Sequence, residues 1–285
     1  MTVEDIILDR DGRGISALRP HLPPDFCDQA AGLVLDHSGT AIVITGFYIL
    51  AAGATETDGP PGAIVIGDAL QSLGYEVVYV TDRLTEPLMT AIVGDRARVV
   101  DFPITDDAAS KKFAEELRSE LDPSVIISIE RCGLTEAGVY LNWKGKNISE
   151  FNAKIDYLLS DHPNTVGIGD GGNEIGMGNL ASVIATVPSL ANDPCITTCT
   201  NLVISSVSNW GGYGLVASMS KLARKNLLPS IEAEQELVKR NVALGAVDGI
   251  TTKPVNKVDG FTLQENSQTL EALHALLAAE GIGAA

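Results

Sequence analysis

The chain is poor in the residues that most often announce a function. It carries four histidines, His21, His37, His162 and His274, all outside its glycine-rich stretches, so its chemistry is expected to rest on other groups. Its four cysteines, Cys27, Cys132, Cys195 and Cys199, are too few and too scattered for a disulfide scaffold. Cys195 and Cys199 also lack the two-residue spacing of a zinc knuckle, which leaves buried thiols as the expected reading. Basic residues are scarce. The 20 Lys and Arg against 37 Asp and Glu give a net charge of −17, which argues against nucleic acid or an anionic membrane as partner. No apolar run approaches the ~18–20 residues of a membrane span. The opening "MTVEDIILDRDGRG" puts two acids before its first apolar run, unlike a secretory signal or an Arg-rich transit peptide. A soluble, cytoplasmic protein is the expectation.

What is present suffices for a sizeable core. The chain has 285 residues, 45% of them hydrophobic and 20% charged, enough for one large α/β domain or two small ones. Short apolar runs alternate with helical patterns. "TAIVITGF" (40–47), "EVVYVTD" (76–82), "ARVVDFP" (97–103), "PSVIISIER" (123–131), "NTVGIGD" (164–170) and "NLVISSVSN" (201–209) read as strands. Helices are expected over 62–74, near 85–93, over 106–121, near 150–160 and near 212–225. Strands apolar on both faces and alternating with helices indicate a mostly parallel, Rossmann-like sheet with helices on both faces. The reading is a single α/β domain: a helical lead-in (1–38), a sheet core (39–228) and a helical tail (229–285) containing the loop "VDGITTKPVNKVDG".

In open parallel sheets ligands bind beyond the carboxyl ends of the strands. Polar residues collect there. Glu56 and Asp58 follow the first strand, Glu130 and Arg131 follow "IISI", and Ser208 and Asn209 follow "VISSV". The richest exit is "GIGDGGNEIGMG" (167–178), in which six of twelve residues are glycine and the charged ones, Asp170 and Glu174, are both acidic, with Asn173 between them. Taken singly, Asp170 could cap a helix, Glu174 could be a surface acid in its first turns, and "TETDGPP" could be an acidic turn before a proline-started helix. Gly176 and Gly178 oppose a helix there, since each costs a helix interior ~1 kcal/mol relative to alanine. They suggest close approach of the backbone to a ligand or a neighbouring element. Gly167, Gly169 and Gly172 do fit G-x-G-x-x-G, but Asp170 inside that loop would face a doubly negative pyrophosphate. No nucleotide cofactor is expected. The carboxylates suit a ligand with positive charge, an amine, or a divalent cation such as Mn or Mg bound by oxygen.

"TETDGPPGA", "SIER", "GIGDGGNEIGMG" and "VSNWGGYGL", in that order, resemble successive motifs of the D-glutamate cyclase family, from about residue 40 to about residue 250. The resemblance implies a lyase that converts D-glutamate to 5-oxo-D-proline and water, with a small acidic amino acid as its substrate. Chemical reasoning then distributes the roles. A carboxylate near the amine can hold the cation and act as base, with Asp170, Glu174 and Glu130 the candidates. Arg131 could pair with a substrate carboxylate in a forked geometry. Asn173, Asn209, Gly171 and Gly172 could bind substrate, and an amide with backbone N–H groups could stabilise an oxyanion. Glu56, Asp58, Asp170 and Glu174 could hold a divalent metal. The same acids would equally serve a metal-dependent hydrolase or a non-catalytic protein that binds a small molecule or cation.

Overall fold

The structure, a computed structural model, describes residues 1–283. Six strands form the central sheet: β1 (Thr40–Ile44), β2 (Glu76–Thr81), β3 (Arg98–Asp101), β4 (Val125–Ile129), β5 (Thr165–Gly169) and β6 (Asn201–Ile204). All pair in parallel, side by side in the order β3-β2-β1-β4-β5-β6. Two short helices, α1 (Val3–Ile7) and α2 (Phe26–Leu35), precede the sheet. Three helices, α3 (Pro60–Ser72), α4 (Glu86–Val93) and α5 (Asp107–Leu121), link β1 through β4. Three more, α6 (Ser208–Ala223), α7 (Ile231–Ala243) and α8 (Leu263–Ala279), follow β6.

The strands are apolar on both faces because both are covered. Ala41, Val43, Tyr79, Ile127 and Ile168 point into the layer built by α2, α3 and α6. Their neighbours Ile42, Ile44, Val78, Val80 and Ile126 point to the opposite layer, where Ala114 and Leu117 of α5 pack. That alternation is the two-residue period of an extended chain. Ile42 and Ile44 are fully buried, so truncating either to alanine would cost about 2–5 kcal/mol. Local signals set the helix ends: Asp106 accepts from the Ala109 N–H at the start of α5, and Thr262 and Glu265 form a reciprocal cap on α8. No helix among the described residues is long and apolar enough to cross a membrane.

Two expected elements differ. The region near 150–160 is not an α-helix but a pair of short 3₁₀ turns, Ser149–Phe151 and Ile155–Leu158. Here side chains bond across the fold rather than along a helix. Asp156 accepts from the Leu134 N–H, the Tyr140 hydroxyl and the Thr197 hydroxyl, and Asn152 donates to the carbonyls of Cys132 and Ala153. The last strand ends at Ile204, and α6 begins at Ser208, earlier than the glycines at 211, 212 and 214 suggest. The reason lies in the site described next.

Candidate active site

The order of the strands reverses between β1 and β4, so loops leaving these two neighbours turn to opposite sides and open a crevice. Glu56 and Asp58 leave β1 into it. Asp58 accepts from the backbone N–H groups of Ser208 (2.9 Å) and Asn209 (2.7 Å), the first donors of α6. Asn209 returns the favour to α3: its side-chain oxygen accepts from Gly59 (3.0 Å) and Gly62 (2.7 Å), and its amide donates to the Thr57 carbonyl. Each helix is thus capped by a residue contributed from the start of the other. This mutual cap satisfies N–H groups that a helix leaves unpaired, and it starts α6 at Ser208.

Glu130 leaves β4 in the left-handed region (φ 45°), which turns its side chain into the crevice, where the Ser208 hydroxyl donates to it at 2.5 Å. Asp170 and Glu174 leave β5. No helix follows Asp170; the chain bends, and Glu174 folds back so that its two oxygens accept from the N–H groups of Gly171 and Gly172, each at 2.8 Å. The glycines beyond serve chain packing rather than a ligand. A Cβ at Gly178, for example, would lie 2.3 Å from the Ile196 carbonyl oxygen.

Two further residues complete the cluster, and the sequence reading missed both. Arg13, from the lead-in, pairs with Asp170 at 2.5 Å and with Asp259 at 2.7 Å. Asp11 holds the Arg13 turn by accepting from the N–H groups of Arg13, Gly14, Ile15 and Ser16. Asp259 comes from the tail loop, which buried Asp248 clasps by accepting from the Thr251 and Gly260 N–H groups. In the same loop Gly249 allows close approach, since a Cβ there would lie 2.4 Å from Glu56 Oε2. The one available signal was the tripeptide Val-Asp-Gly occurring at both ends of that loop, at 247–249 and 258–260.

Single oxygens of Asp58, Asp170 and Asp259 lie within 4.8 Å of one another, and so do single oxygens of Glu130, Asp170 and Glu174. Asp170 belongs to both groups. Six carboxyl groups, counting Glu56, thus face one guanidinium, and burial beside like charges favours the neutral forms of four of them, Glu56, Asp58, Glu130 and Asp170. Burial pushes the Glu56 carboxyl well up, with help from Asp259 and Asp58, while contact with the Glu130 carboxyl partly relieves it. Burial also pushes Glu130 well up, with Glu174, Glu56 and Asp58 adding to it. Asp58 is raised to about 8 by burial and by Asp259, against the pull of the α6 N–H groups. For Asp170 burial again leads upward, opposed by Arg13 and reinforced by Glu130. Its second oxygen, Oδ2, is buried and has no hydrogen-bond partner.

Glu56, Glu130 and Glu174 reach the wall of a pocket of about 270 Å³, together with Arg13 and Asn173. Asp58 and Asp170 lie deeper, each about 1% exposed. Among the residues expected to bind substrate, Asn173 lines the pocket, and its amide donates to the Leu141 carbonyl. Arg131 is not brought to it. Its guanidinium donates to Asp82 (2.6 Å) and to the carbonyls of Gly46 and Ala153, so the cation that faces the carboxylates is Arg13. Asn209, Gly171 and Gly172 do not line the pocket, and their polar groups are committed to the two caps and to Glu174. Of the expected metal set, Asp58, Asp170 and Glu174 fall in the two close groups and Glu56 stands beside them. Cys27, Cys132 and Cys195 are buried thiols and Cys199 is partly exposed.

Residues 3–274 match the family model described as D-glutamate cyclase-like, C-terminal. The chain belongs to the D-glutamate cyclase-like family. A curated relative, the human protein named D-glutamate cyclase, mitochondrial, is 32% identical over 208 residues, covering 66% of this cyclase-like chain. The chain spans about a third (34%) of that relative's length. The match takes in the lead-in that carries Arg13 and the tail loop that carries Asp259, as well as the sheet.

Proposed function

We propose that this chain is a hydro-lyase that cyclises D-glutamate to 5-oxo-D-proline. The observation that carries the reading is the convergence of Glu56, Glu130, Glu174 and Arg13 on one pocket wall, with Asp170 directly behind. Cyclisation joins the α-nitrogen to the γ-carbonyl carbon and breaks one carbon–oxygen bond. Two protons leave the nitrogen, and both end on the departing oxygen as water. The site must therefore relay protons without consuming any. Asp170 suits the base: Arg13 opposes the neutralisation that burial favours, and its buried, unpartnered Oδ2 can take the ammonium proton by way of Glu130 or Glu174, which lie close to it and reach the pocket. The Glu56–Glu130 pair, pushed toward the protonated form, suits the acid that delivers a proton to the leaving oxygen. No covalent nucleophile is needed, because the amine itself attacks.

The donor set also fits a hard divalent cation. It consists of carboxylate oxygens, carries surplus negative charge, and leaves one buried oxygen without a partner. Asp170 would hold such an ion with Asp58 and Asp259 or with Glu130 and Glu174. Bound there, Mn²⁺ or Mg²⁺ would supply Lewis-acid polarisation of the γ-carboxyl group.

The test is a chiral assay for 5-oxoproline with purified protein, D-glutamate and L-glutamate, in the presence and absence of chelator. The expected result is turnover of D-glutamate that falls ~10²–10⁴-fold in a folded Asp170→Asn variant. Inertness toward both enantiomers with metal supplied would replace the cyclase reading with a hydrolase or a binding protein.

A further inference from the structure

We propose that the same pocket accepts γ-D-glutamyl amides with a free α-amino group, and that it expels an amine where D-glutamate would expel water. This rests on the cyclase reading of the inner carboxylates. The outer half of the pocket is what a free amino acid would leave unused. It is built by two excursions from the sheet: the hairpin in which Tyr48–Ile49 pairs with Ala54–Thr55, and a loop closed by the Leu141–Asn147 pairing. The first is braced where the Tyr48 ring stacks on Phe151 at 4.6 Å.

At the rim these excursions display apolar groups that the core could have taken. Trp143 is 43% exposed and Leu50 is 40% exposed, and both line this pocket. An indole left in water at the mouth of a polar site is a large apolar surface available for a ligand to cover. Lys144 stands 4.8 Å from the Trp143 ring, and Lys146 lines the same wall. The two ends of the pocket thus ask for different chemistry. The inner end offers carboxylates to an ammonium group. The outer end offers an aromatic and aliphatic surface beside two cations. A molecule that meets both carries an apolar side chain and a carboxylate beyond its γ-carbonyl, as an amino acid in γ-amide linkage does.

The proton relay needs no change for this substrate. The α-nitrogen bonds to the γ-carbonyl carbon, and the bond from that carbon to the amide nitrogen breaks. The two protons lost by the α-ammonium end on the departing nitrogen, which leaves as an ammonium. No water, oxidant or other co-reactant enters. A neutral amide is also a better electrophile than a carboxylate anion, which must shed its charge before it can be attacked.

The experiment compares γ-D-glutamyl-leucine with D-glutamate on wild-type protein and on Trp143→Ala, following 5-oxoproline and leucine by mass spectrometry. The dipeptide is expected to show a kcat/KM at least roughly 10-fold above that of D-glutamate, and Trp143→Ala to reduce that preference by roughly 10-fold. γ-D-glutamyl-leucinamide, which lacks the terminal carboxylate, should be the poorer dipeptide analogue, and Lys144→Ala should shrink the difference. Release of 5-oxoproline and leucine from the dipeptide with D-glutamate inert would support the proposal and overturn the hydro-lyase reading, leaving a cyclase whose leaving group is an amine. Cyclisation of D-glutamate with the dipeptide inert, or a preference unchanged in Trp143→Ala, would overturn the proposal and leave the hydro-lyase reading standing. Inertness of both substrates would overturn both.

Discussion

Arg13 and Asp170, 157 residues apart in sequence, meet at 2.5 Å, and the same guanidinium reaches Asp259 from the other side. Three distant segments of chain are therefore held at one charge. Replacing Arg13 by methionine keeps much of the side-chain length but leaves two acids facing each other. A stability loss on the order of 2 kcal/mol is expected, below the 3–5 kcal/mol of a fully buried pair because the guanidinium side chain is 22% exposed. Urea unfolding measures it. The loss should shrink when a divalent cation is added, and unchanged stability without any cation would show that the pair does not hold the segments.

The mutual cap between Asp58 and Asn209 makes a second prediction. Asp58→Ala and Asn209→Ala should each cost about 1–2 kcal/mol, since each removes a cap from a buried helix start. The double variant should cost less than the sum, with a coupling of about 0.5–3 kcal/mol, because the two residues belong to one hydrogen-bonded unit. Strict additivity in denaturant melts would contradict that unit.

Divalent-cation binding is expected to raise the melting temperature. A cation at 100 times its Kd stabilises the folded state by ~2.7 kcal/mol, several degrees for a chain of this size. Mn²⁺ and Mg²⁺ titrations followed by thermal melts would check it. Asp170→Asn should abolish the shift, as Asp170 belongs to both close carboxylate groups. A shift that survives in that variant places the cation elsewhere.

Outside the pocket, Glu234 of α7 is buried beside Tyr213 of α6, and burial raises its carboxyl from 4.5 to about 7 while the Tyr213 hydroxyl pulls it down. Its folded form thus binds a proton more tightly than its unfolded form. The resulting stability is full below about pH 4.5, declines as pH rises, and is lost once pH passes about 7. Glu234→Gln should flatten this part of the stability–pH curve and stabilise the protein at pH 8 by on the order of 2 kcal/mol. A wild-type curve that rises from pH 5 to pH 8 in parallel with that of the variant would refute the assignment.

The sheet and most of the acids were legible because both follow short-range rules. A strand with apolar residues on both faces announces its burial, and a carboxylate just past its end has one edge of the sheet to occupy. Arg131 was misread through the same geometry. It directly follows Glu130, whose left-handed backbone (φ 45°) breaks the strand's alternation, so the turn that aims Glu130 into the crevice sends Arg131 toward Asp82. Arg13 and Asp259 follow no strand. Their positions depend on the clasps made by Asp11 and Asp248, which are tertiary contacts with no periodic trace in the sequence. The region near 150–160 has the apolar spacing of a helix, but Asp156 secures three donors from elsewhere in the fold, and those bonds decide its path.

Because Asp58 and Asn209 bind the starts of each other's helices, the floor of the pocket cannot loosen unless two helices fray together. Amide hydrogens of Gly59, Gly62, Ser208 and Asn209 should then exchange with solvent only through opening of the whole molecule, at its slowest rates. The rim has no such tie: Leu50 and Trp143 sit at the tips of short excursions, where local opening suffices. Deuterium would therefore enter this site from the top down, the rim labelling early and the floor last. A rim free to adjust above a floor that cannot is suited to admitting partners of different shape while holding the reacting groups in one arrangement.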